Sequence, residues 1–268
     1  MPHTIDPHNF MNNIVLLLSA TIDIKGMPKA YPADPETRQE DYFHTLKYYI
    51  NHHPKIQKIL FVENSGWSLA RVQEATLENP YNKDIEFISI NSNTFPRSYG
   101  KGYGEISLID QGFKQSELIQ KANCVAKITG RIKLLNLTEI LESVPASYDC
   151  LYDVKDQGWV IKKYLFQETT ASPYVDTRFL VFKKEFYLKY FQPLLYNHQN
   201  GCFYMESKIY QGIQSAKPDQ KLIERFPIEP EFYGIAGHFQ GKDYNSPVEK
   251  FKFNIRFLGR KVAPWIHL

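Results

Sequence analysis

The residues best suited to chemistry lie in one stretch near the middle of the chain. It opens with Gly100-Lys101-Gly102-Tyr103-Gly104-Glu105, a glycine-rich segment with one lysine that we predict to be a loop. A helical pattern follows over residues 106–120, and a short buried strand over 124–128. Lys127 and Arg131 stand at the end of that strand, and both side-chain types bind phosphate groups. The sequence therefore predicts a cradle for a phosphorylated ligand.

The elements upstream predict the sheet that positions this cradle. Residues 14–18 and 59–62 are continuous apolar runs, as in strands buried on both faces of a parallel sheet. Residues 85–90 form a third strand, and helical patterns over 42–50 and 69–77 separate the three. Four strands that alternate with helices predict an α/β fold, with a mainly parallel, nucleotide-binding sheet flanked by helices.

Polar residues follow the first two of these strands. Thr21 comes shortly after the first strand, and Glu63 and Asn64 come directly after the second. Ligands of open α/β sheets bind at the carboxyl ends of the strands. The three side chains are therefore candidates for contact with a nucleotide base and ribose, with turn-forming and capping roles as the alternative.

Regular alternation fades after Ser143. Short strand patterns then cover residues 148–152, 159–166 and 177–182. One helix is predicted from about Lys184 and a second over 206–213. Because no internal repeat or clear linker is present, we predict a flexible tail followed by a single domain, over residues 1–12 and 13–268.

Composition excludes several classes of protein. The chain has 268 residues, of which 43% are hydrophobic and 23% charged, the balance of a soluble globular protein. A net charge of only +3, without a nucleic-acid-binding motif, predicts no nucleic-acid partner. Three cysteines without CxxC spacing fit a reducing cytoplasm better than a disulfide framework or a zinc site. No apolar run approaches the roughly 20 residues of a membrane span, and no signal peptide is evident.

The order of these elements resembles a GT-A glycosyltransferase, an enzyme that uses a nucleotide sugar as donor. Segment 100–105 looks like the family's G-K-G segment before a helix, and 126–131 stands where the family usually carries an Asp-x-Asp metal motif. Segments 175–179 and 201–206 resemble the acceptor-side segments of bacterial polysaccharide and lipopolysaccharide transferases. The resemblance covers about residues 13–212. It implies a nucleotide-sugar-binding half, an acceptor half and a basic-aromatic C-terminal segment, over residues 13–143, 144–246 and 247–268.

The resemblance also implies a catalytic base. An inverting transferase needs a carboxylate that takes the proton of the acceptor hydroxyl. Glu206 is the first candidate, because it opens a predicted helix after a glycine-containing turn; the alternative is a glutamate stabilised only by the helix dipole. Asp176 is the second candidate, although Arg178 beside it equally suits a structural ion pair.

Binding roles follow from the same resemblance. Lys101, Lys127 and Arg131 would stabilise the departing diphosphate. Arg178 and His238 would contact the acceptor or a phosphate, with structural roles as the alternative.

The fourth strand departs from the family pattern, because no Asp-x-Asp motif follows it. A divalent ion normally neutralises the leaving diphosphate. Here Lys127 and Arg131 would supply positive charge instead. We therefore predict no metal cofactor, with Mg²⁺ or Mn²⁺ on scattered carboxylates as the alternative.

The C-terminal segment 249–261 mixes lysines and arginines with aromatic and aliphatic residues. This composition predicts peripheral contact with the anionic surface of the inner membrane, which would bring the enzyme to a lipid-linked acceptor. The alternation over 250–255 equally suits an edge strand.

Together these patterns predict a cytoplasmic glycosyltransferase of bacterial surface polysaccharide synthesis. It would move a sugar from a nucleotide-sugar donor to a hydroxyl of a glycan or lipid-linked glycan. Inversion is favoured, and retention, which needs no such base, stays open. A sugar nucleotidyltransferase would want a glycine- and arginine-rich loop after the first strand, which residues 19–23 lack. A non-catalytic nucleotide- or sugar-binding module is the third interpretation.

Overall fold

The computed structural model of the protein describes Met11 and residues 13–28, 30–145, 147–155, 173–237 and 242–262. The strands in these residues are, in chain order, β1 Ile14–Ala20, β2 Lys58–Glu63, β3 Asp84–Ser89, β4 Cys124–Thr129, β5 Lys133–Leu134, β6 Cys150–Leu151, β7 Val154–Lys155, β8 Tyr174–Val175, β9 Phe179–Lys183, β10 Leu222–Ile223 and β11 Phe232–Tyr233. The α-helices are α1 Pro35–His52, α2 Ala70–Gln73, α3 Gly100–Gln115, α4 Glu117–Lys121, α5 Leu137–Glu142, α6 Lys184–Phe186, α7 Gln192–Tyr196, α8 Met205–Ala216 and α9 Pro247–Val262. Residues Glu74–Leu77 and Arg97–Tyr99 form 3-10 turns, and Tyr187–Phe191 is a π-helical turn between α6 and α7.

A seven-stranded sheet in the order β10-β6-β9-β4-β1-β2-β3 organises the described chain. The pairs β1–β2, β2–β3, β1–β4 and β6–β10 are parallel, whereas β9 runs antiparallel to both of its neighbours. Two short antiparallel pairs, β5 with β11 and β7 with β8, lie outside this sheet. The predicted α/β fold with a mainly parallel sheet flanked by helices is confirmed.

Helix α1 covers one face of the sheet. It begins after Asp34, whose carboxylate caps the helix by accepting from the Thr37 main-chain N–H at 2.7 Å, and Pro35 occupies the first turn. The side chains of Leu16 and Leu18 on β1 belong to the apolar core on this side, together with α1. Alternate residues of the same strand point to the other side, so an apolar run such as β1 fills two cores at once.

Helices α3 and α8 cover the opposite face. Ile106, Ile109 and Phe113 of α3 are buried there with Leu17 of β1, as their helical spacing predicts. Gly112 lets α3 approach the sheet closely, since a Cβ at that position would lie 3.2 Å from Val62 Cγ2. This packing fixes the start of α3 at the carboxyl ends of β1 and β4.

The chain reverses its direction across the sheet between β1 and β4. From β1 it proceeds to β2 and β3 on one side, and then it crosses to β4 on the other side of β1. Open α/β sheets bind their ligands at such a switch point, outside the carboxyl ends of the strands. A ligand is therefore expected at the carboxyl ends of β1 and β4.

Several elements differ from the sequence predictions. The segment 100–105 is the first turn and a half of α3 rather than a loop, and the predicted helix over 106–120 is divided between α3 and α4. The tail that also suited an edge strand forms the helix α9. The predicted strand over 159–166, most of the tail over 1–12 and His238 lie outside the described residues.

Candidate functional site

The N-terminal turns of α3 and α8 meet at the carboxyl ends of β1 and β4. Gly102 makes this approach possible, because a Cβ there would lie 2.4 Å from the carbonyl oxygen of Phe203. The Phe203 N–H also donates to the carbonyl oxygen of Tyr99 at 2.8 Å. These contacts bring Glu206, in the first turn of α8, towards the start of α3.

Lys127 lies fully buried on β4, and its ammonium has three partners. It forms an ion pair with Glu105 Oε1 on α3, donates to the Thr177 carbonyl oxygen at 2.6 Å and lies 3.4 Å from Thr129 Oγ1. An ammonium carries three donor protons, so these contacts occupy all of them. The structure thus gives Lys127 a different role from the direct diphosphate contact predicted from the sequence. It ties α3 and the chain before β9 to the end of β4.

Arg131 lies on the opposite face of the sheet from Lys127. Its guanidinium donates to Asp41 Oδ2 on α1 at 3.2 Å and to the Tyr31 carbonyl oxygen at 2.8 Å, and the residue is only 5% exposed. The prediction that Lys127 and Arg131 form one phosphate cradle is therefore wrong. The physical reason is the turn at Gly130, which directs the chain towards α1 once β4 has ended.

Glu206 is an exposed residue in the first turn of α8. Surrounding protein desolvates its carboxyl group, and the negative charge of Glu105 acts in the same direction, so the pKa of Glu206 is raised. The charges of Lys101 and Lys127 oppose this shift of the pKa. A carboxylate whose pKa moves towards neutrality suits general-base catalysis better than an ordinary surface carboxylate. The carboxylate predicted as the base therefore lies within electrostatic reach of Glu105, Lys101 and Lys127.

Asp176, the second candidate base, is occupied by an ion pair. Arg178 Nε donates to Asp176 Oδ1 at 2.8 Å, and Arg178 Nη2 contacts Oδ2. Burial alone would raise the pKa of Asp176, but the Arg178 guanidinium holds it well below its usual range. Such a carboxylate is a weak base, so the structure favours the structural ion pair. The Arg178 guanidinium also lies over the Phe232 ring, 4.1 Å from its centroid.

Glu63 organises the loops after β1 and β2 from a fully buried position. Its Oε1 accepts from the main-chain N–H groups of Ile22 at 3.0 Å and Ser65 at 2.8 Å, and its Oε2 accepts from Gly66 at 3.0 Å. Both carboxylate oxygens are therefore engaged by the protein itself. This is the turn-forming role that the sequence left open, rather than contact with a nucleotide.

Thr21 and Asn64 connect the two strand ends to α3. Thr21 Oγ1 donates to Asn64 Oδ1 at 2.7 Å, and Asn64 Nδ2 donates to the Gly104 carbonyl oxygen at 3.3 Å. Asn64 is buried and Thr21 is half-buried. A ligand at this edge of the sheet would reach Thr21 more easily than Asn64.

Lys101 and His238 are the last two of the predicted site residues. Lys101 is exposed in the first turn of α3, close enough for its charge to act on Glu206. His238 lies outside the described residues. Within the parts of the chain that the structure describes, no three His, Cys, Asp or Glu side chains cluster as metal ligands would.

The sequence does not predict individual roles for two residues near Lys127, Glu105 and Ser19. Glu105 ends the glycine-rich segment 100–105. Ser19 donates to Glu105 Oε1 at 3.1 Å from the end of β1. No local signal indicated the role of Glu105, because the segment that the sequence predicts as a loop is the start of α3.

Comparison with known proteins adds only distant likenesses. No family model matches the sequence, and no curated protein matches it. Among solved structures, the chain is similar to HddC from Yersinia pseudotuberculosis, with 13% identity over 91% of this chain and 98% of that chain and a TM-score of 0.37. A structure of HddC complexed with GMP-PN gives 14% identity with the same coverage and TM-score. Likenesses at this level identify no ligand or reaction for this chain.

Proposed function

We propose that the chain is a glycosyltransferase of bacterial surface polysaccharide synthesis, with Glu206 as its general base. The observation that carries the proposal is that Glu206, in the first turn of α8, lies within electrostatic reach of the Glu105–Lys127 ion pair at the switch point of the sheet. The donor is a nucleotide sugar, and the acceptor is a hydroxyl of a glycan or lipid-linked glycan.

The start of α3 supports a site for the diphosphate of the donor. The first main-chain N–H groups of a helix have no partner within the helix, and the helix dipole makes this end positive. In α3 the Gly100 N–H donates to the Arg97 carbonyl oxygen, so the N–H groups of the following residues are the candidates for contact with the diphosphate. Lys101 adds a full positive charge to the same turn. Together these groups favour a diphosphate at the start of α3, while Arg131 on the opposite face takes no part.

The proposed reaction inverts the anomeric carbon of the sugar. Glu206 takes the proton from the acceptor hydroxyl, whose oxygen forms a bond to the anomeric carbon. The bond between that carbon and the diphosphate breaks, and the nucleoside diphosphate leaves with the electron pair. Lys101 and the start of α3 stabilise the negative charge that develops on the leaving group.

Independence from metal ions is part of the proposal. Its support is the pair of positive groups, Lys101 and the start of α3, that would face the leaving diphosphate. The wild-type protein is tested by thermal shift against nucleoside diphosphates and nucleotide sugars, each with EDTA and with Mn²⁺. A ligand at a hundredfold excess over its Kd stabilises the native state by about 2.7 kcal/mol. Stabilisation that EDTA does not change supports the proposal, and a shift that requires Mn²⁺ overturns the metal-independent part of it.

Transfer itself is tested with Glu206→Gln. Loss of a general base typically costs about 10²–10⁴-fold in rate, so transfer should fall by this factor while the donor still binds. Glu117→Gln, on the exposed surface of α4, is the control and should transfer normally. A wild-type protein that binds the nucleotide sugar but never transfers it is a binding module. One that releases pyrophosphate from a nucleoside triphosphate and a sugar phosphate is a nucleotidyltransferase.

Peripheral contact with a membrane is the last part of the proposal, and α9 supports it. Five apolar side chains form a stripe along this helix at alternating spacings of three and four residues, each 46% to 69% exposed: Val248, Phe251, Ile255, Leu258 and Val262. An exposed apolar stripe flanked by lysines suits contact with the surface of a bilayer. Within the described residues, no helix is both long enough and apolar enough to cross a membrane.

The opposite side of α9 holds the helix on the protein. Arg256 and Arg260 both contact the Glu229 carboxylate there. Lys250 and Lys261 lie to the sides of the apolar stripe, as does Lys252, which pairs with Glu249 at 2.8 Å. Because lysines would repel one another between two copies of the stripe, the charges favour an anionic lipid surface over a second copy of the chain.

Vesicle co-sedimentation tests this contact. The wild-type protein should sediment with vesicles that contain phosphatidylglycerol and less with vesicles of phosphatidylcholine alone. Phe251→Glu with Leu258→Glu should abolish sedimentation, and Gln211→Glu on the exposed side of α8 should not. The proposed membrane contact is wrong if the double variant sediments with the vesicles as much as the wild-type protein does. It is also wrong if the wild-type protein forms a stable dimer and does not bind lipid.

A further inference from the structure

The Glu105 carboxylate is held from two sides of the site. Lys127 Nζ and Ser19 Oγ both contact its Oε1, the first from β4 and the second from β1. The side chain is nevertheless 27% exposed. Both of these partners approach Oε1, so the exposed part of the carboxylate, with Oε2, can accept a hydrogen bond from a ligand.

The buried partner makes this orientation rigid. Lys127 is fully buried and also donates to the Thr177 carbonyl oxygen, so it has no alternative solvated position. Moving Glu105 away would leave a buried ammonium without its counter-charge, which is strongly unfavourable. Glu105 therefore presents Oε2 in a fixed direction before any ligand arrives.

The chemistry of this oxygen selects its ligand. An ionised carboxylate only accepts hydrogen bonds, and Glu206 nearby adds a second negative charge. A phosphate oxygen would be repelled here, whereas a neutral hydroxyl would donate a strong charge-assisted hydrogen bond. We infer that Glu105 Oε2 binds a hydroxyl of the transferred sugar. This inference rests on the proposed function, and it adds a sugar-binding residue to it.

The two carboxylates, Glu105 and Glu206, therefore have different roles. Glu105 is oriented by its contacts with the buried Lys127 and with Ser19, which suits binding. Glu206 is exposed and its pKa is raised, which suits proton transfer. The diphosphate lies towards Lys101 and the sugar towards Glu105.

The test compares the affinities of a nucleotide sugar and of its nucleoside diphosphate. The pair used is the one that stabilises the wild-type protein most in the thermal-shift experiment. Isothermal titration should show that Glu105→Gln binds the nucleoside diphosphate like the wild type. Its affinity for the nucleotide sugar should fall by about 10-fold or more, the usual loss for a hydrogen bond to a charged group. A merely structural residue would weaken both ligands equally.

A second variant guards against misfolding. Glu105→Gln leaves Lys127 buried beside a neutral group, so the double variant Glu105→Gln with Lys127→Met removes both charges together. It should show the same selective loss of the sugar contribution. If either folded variant retains the full gain in affinity that the sugar provides, the inference is wrong and the proposed function stands. If the wild-type protein binds no nucleotide sugar, both are wrong.

Discussion

Gly102 lies directly against the main-chain carbonyl of Phe203, so that a Cβ at position 102 would stand 2.4 Å from that oxygen. It would also stand 2.9 Å from the Met205 main-chain nitrogen. The spacing between the starts of α3 and α8 therefore depends on the missing side chain. Because Glu105 and Glu206 belong to these two turns, the same glycine determines how the two carboxylates face each other.

Gly102→Ala should consequently disturb the site and the fold. Helix propensity alone would predict stabilisation by about 1 kcal/mol, since alanine is the better helix former. Overpacking against a fixed main chain instead costs about 1–3 kcal/mol, so we expect net destabilisation in urea unfolding and a loss of transfer. Gln211→Ala on the exposed side of α8 is the control. A more stable Gly102→Ala protein with normal transfer would show that the two turns move apart without consequence.

Lys101→Met should change the pH dependence of transfer. The positive charge of Lys101 lowers the pKa of Glu206, so its removal raises that pKa. Because the general base acts when deprotonated, the acidic limb of kcat/KM should move to higher pH. Glu105→Gln removes a negative charge and should move the same limb to lower pH.

The control for this experiment is Lys121→Met, since Lys121 is exposed on α4 and pairs with Glu117. Its profile should coincide with that of the wild type. Shifts of the Lys101 and Glu105 variants in the same direction would mean that Glu206 is not the titrating group.

The central sheet was predictable because a strand buried on both faces has a continuous run of apolar residues in the sequence. The apolar runs of β1 and β2 allow few structures other than buried strands, and helical spacing identified Ile106, Ile109 and Phe113 as the buried face of α3. The start of α3 was not predictable. Glycine disfavours helices locally, and only the contact of Gly102 with Phe203, distant in sequence, explains why glycines stand there.

The site was predictable where its geometry is local. Glu206 follows a helix start, and the structure puts it in the first turn of α8. The separation of Lys127 from Arg131 depends instead on the turn at Gly130, where a Cβ would lie 2.7 Å from the Ser19 carbonyl oxygen. That contact joins two strands far apart in sequence, so no spacing along β4 indicated it.

We expect Arg260 to contribute more to the free energy of unfolding than other residues of the exposed helix α9 do. Its Nη2 donates to Asp153 Oδ2 at 2.7 Å, its Nη1 donates to the Phe226 carbonyl oxygen at 2.7 Å, and its Nε contacts Glu229. Arg260→Met removes one partner from two buried carboxylates, which typically costs about 3–5 kcal/mol. Urea unfolding measures the loss.

Arg256→Met is the matched control for Arg260→Met. Arg256 contacts only Glu229 among the partners described, and its side chain is 27% exposed, so solvent screens the pair. We expect a clearly smaller loss of stability, about 1 kcal/mol or less. Equal losses in the two variants would contradict a special role for the buried guanidinium.

His53 should make the stability of the protein depend on pH. It lies buried with Nδ1 3.0 Å from Thr138 Oγ1, while Nε2 has no hydrogen-bond partner in the described structure. Burial, helped by the charge of Lys83, lowers the pKa of His53 to about 4. Between the unfolded value of about 6.5 and this pKa, the unfolded chain binds a proton that the folded protein excludes. Stability is therefore complete above pH 6.5 and decreases as the pH falls.

His53→Gln tests this by removing the titration while keeping a group that hydrogen-bonds to Thr138. Between pH 7 and pH 5 the wild-type protein should lose about 1–2 kcal/mol more of its free energy of unfolding than the variant does. His44→Gln is the control, because the His44 side chain is 64% exposed and should leave the pH dependence unchanged. If the curves of the wild type and His53→Gln run parallel, the imidazole is not excluded from protonation in the folded state, and its burial in the core is incomplete in solution.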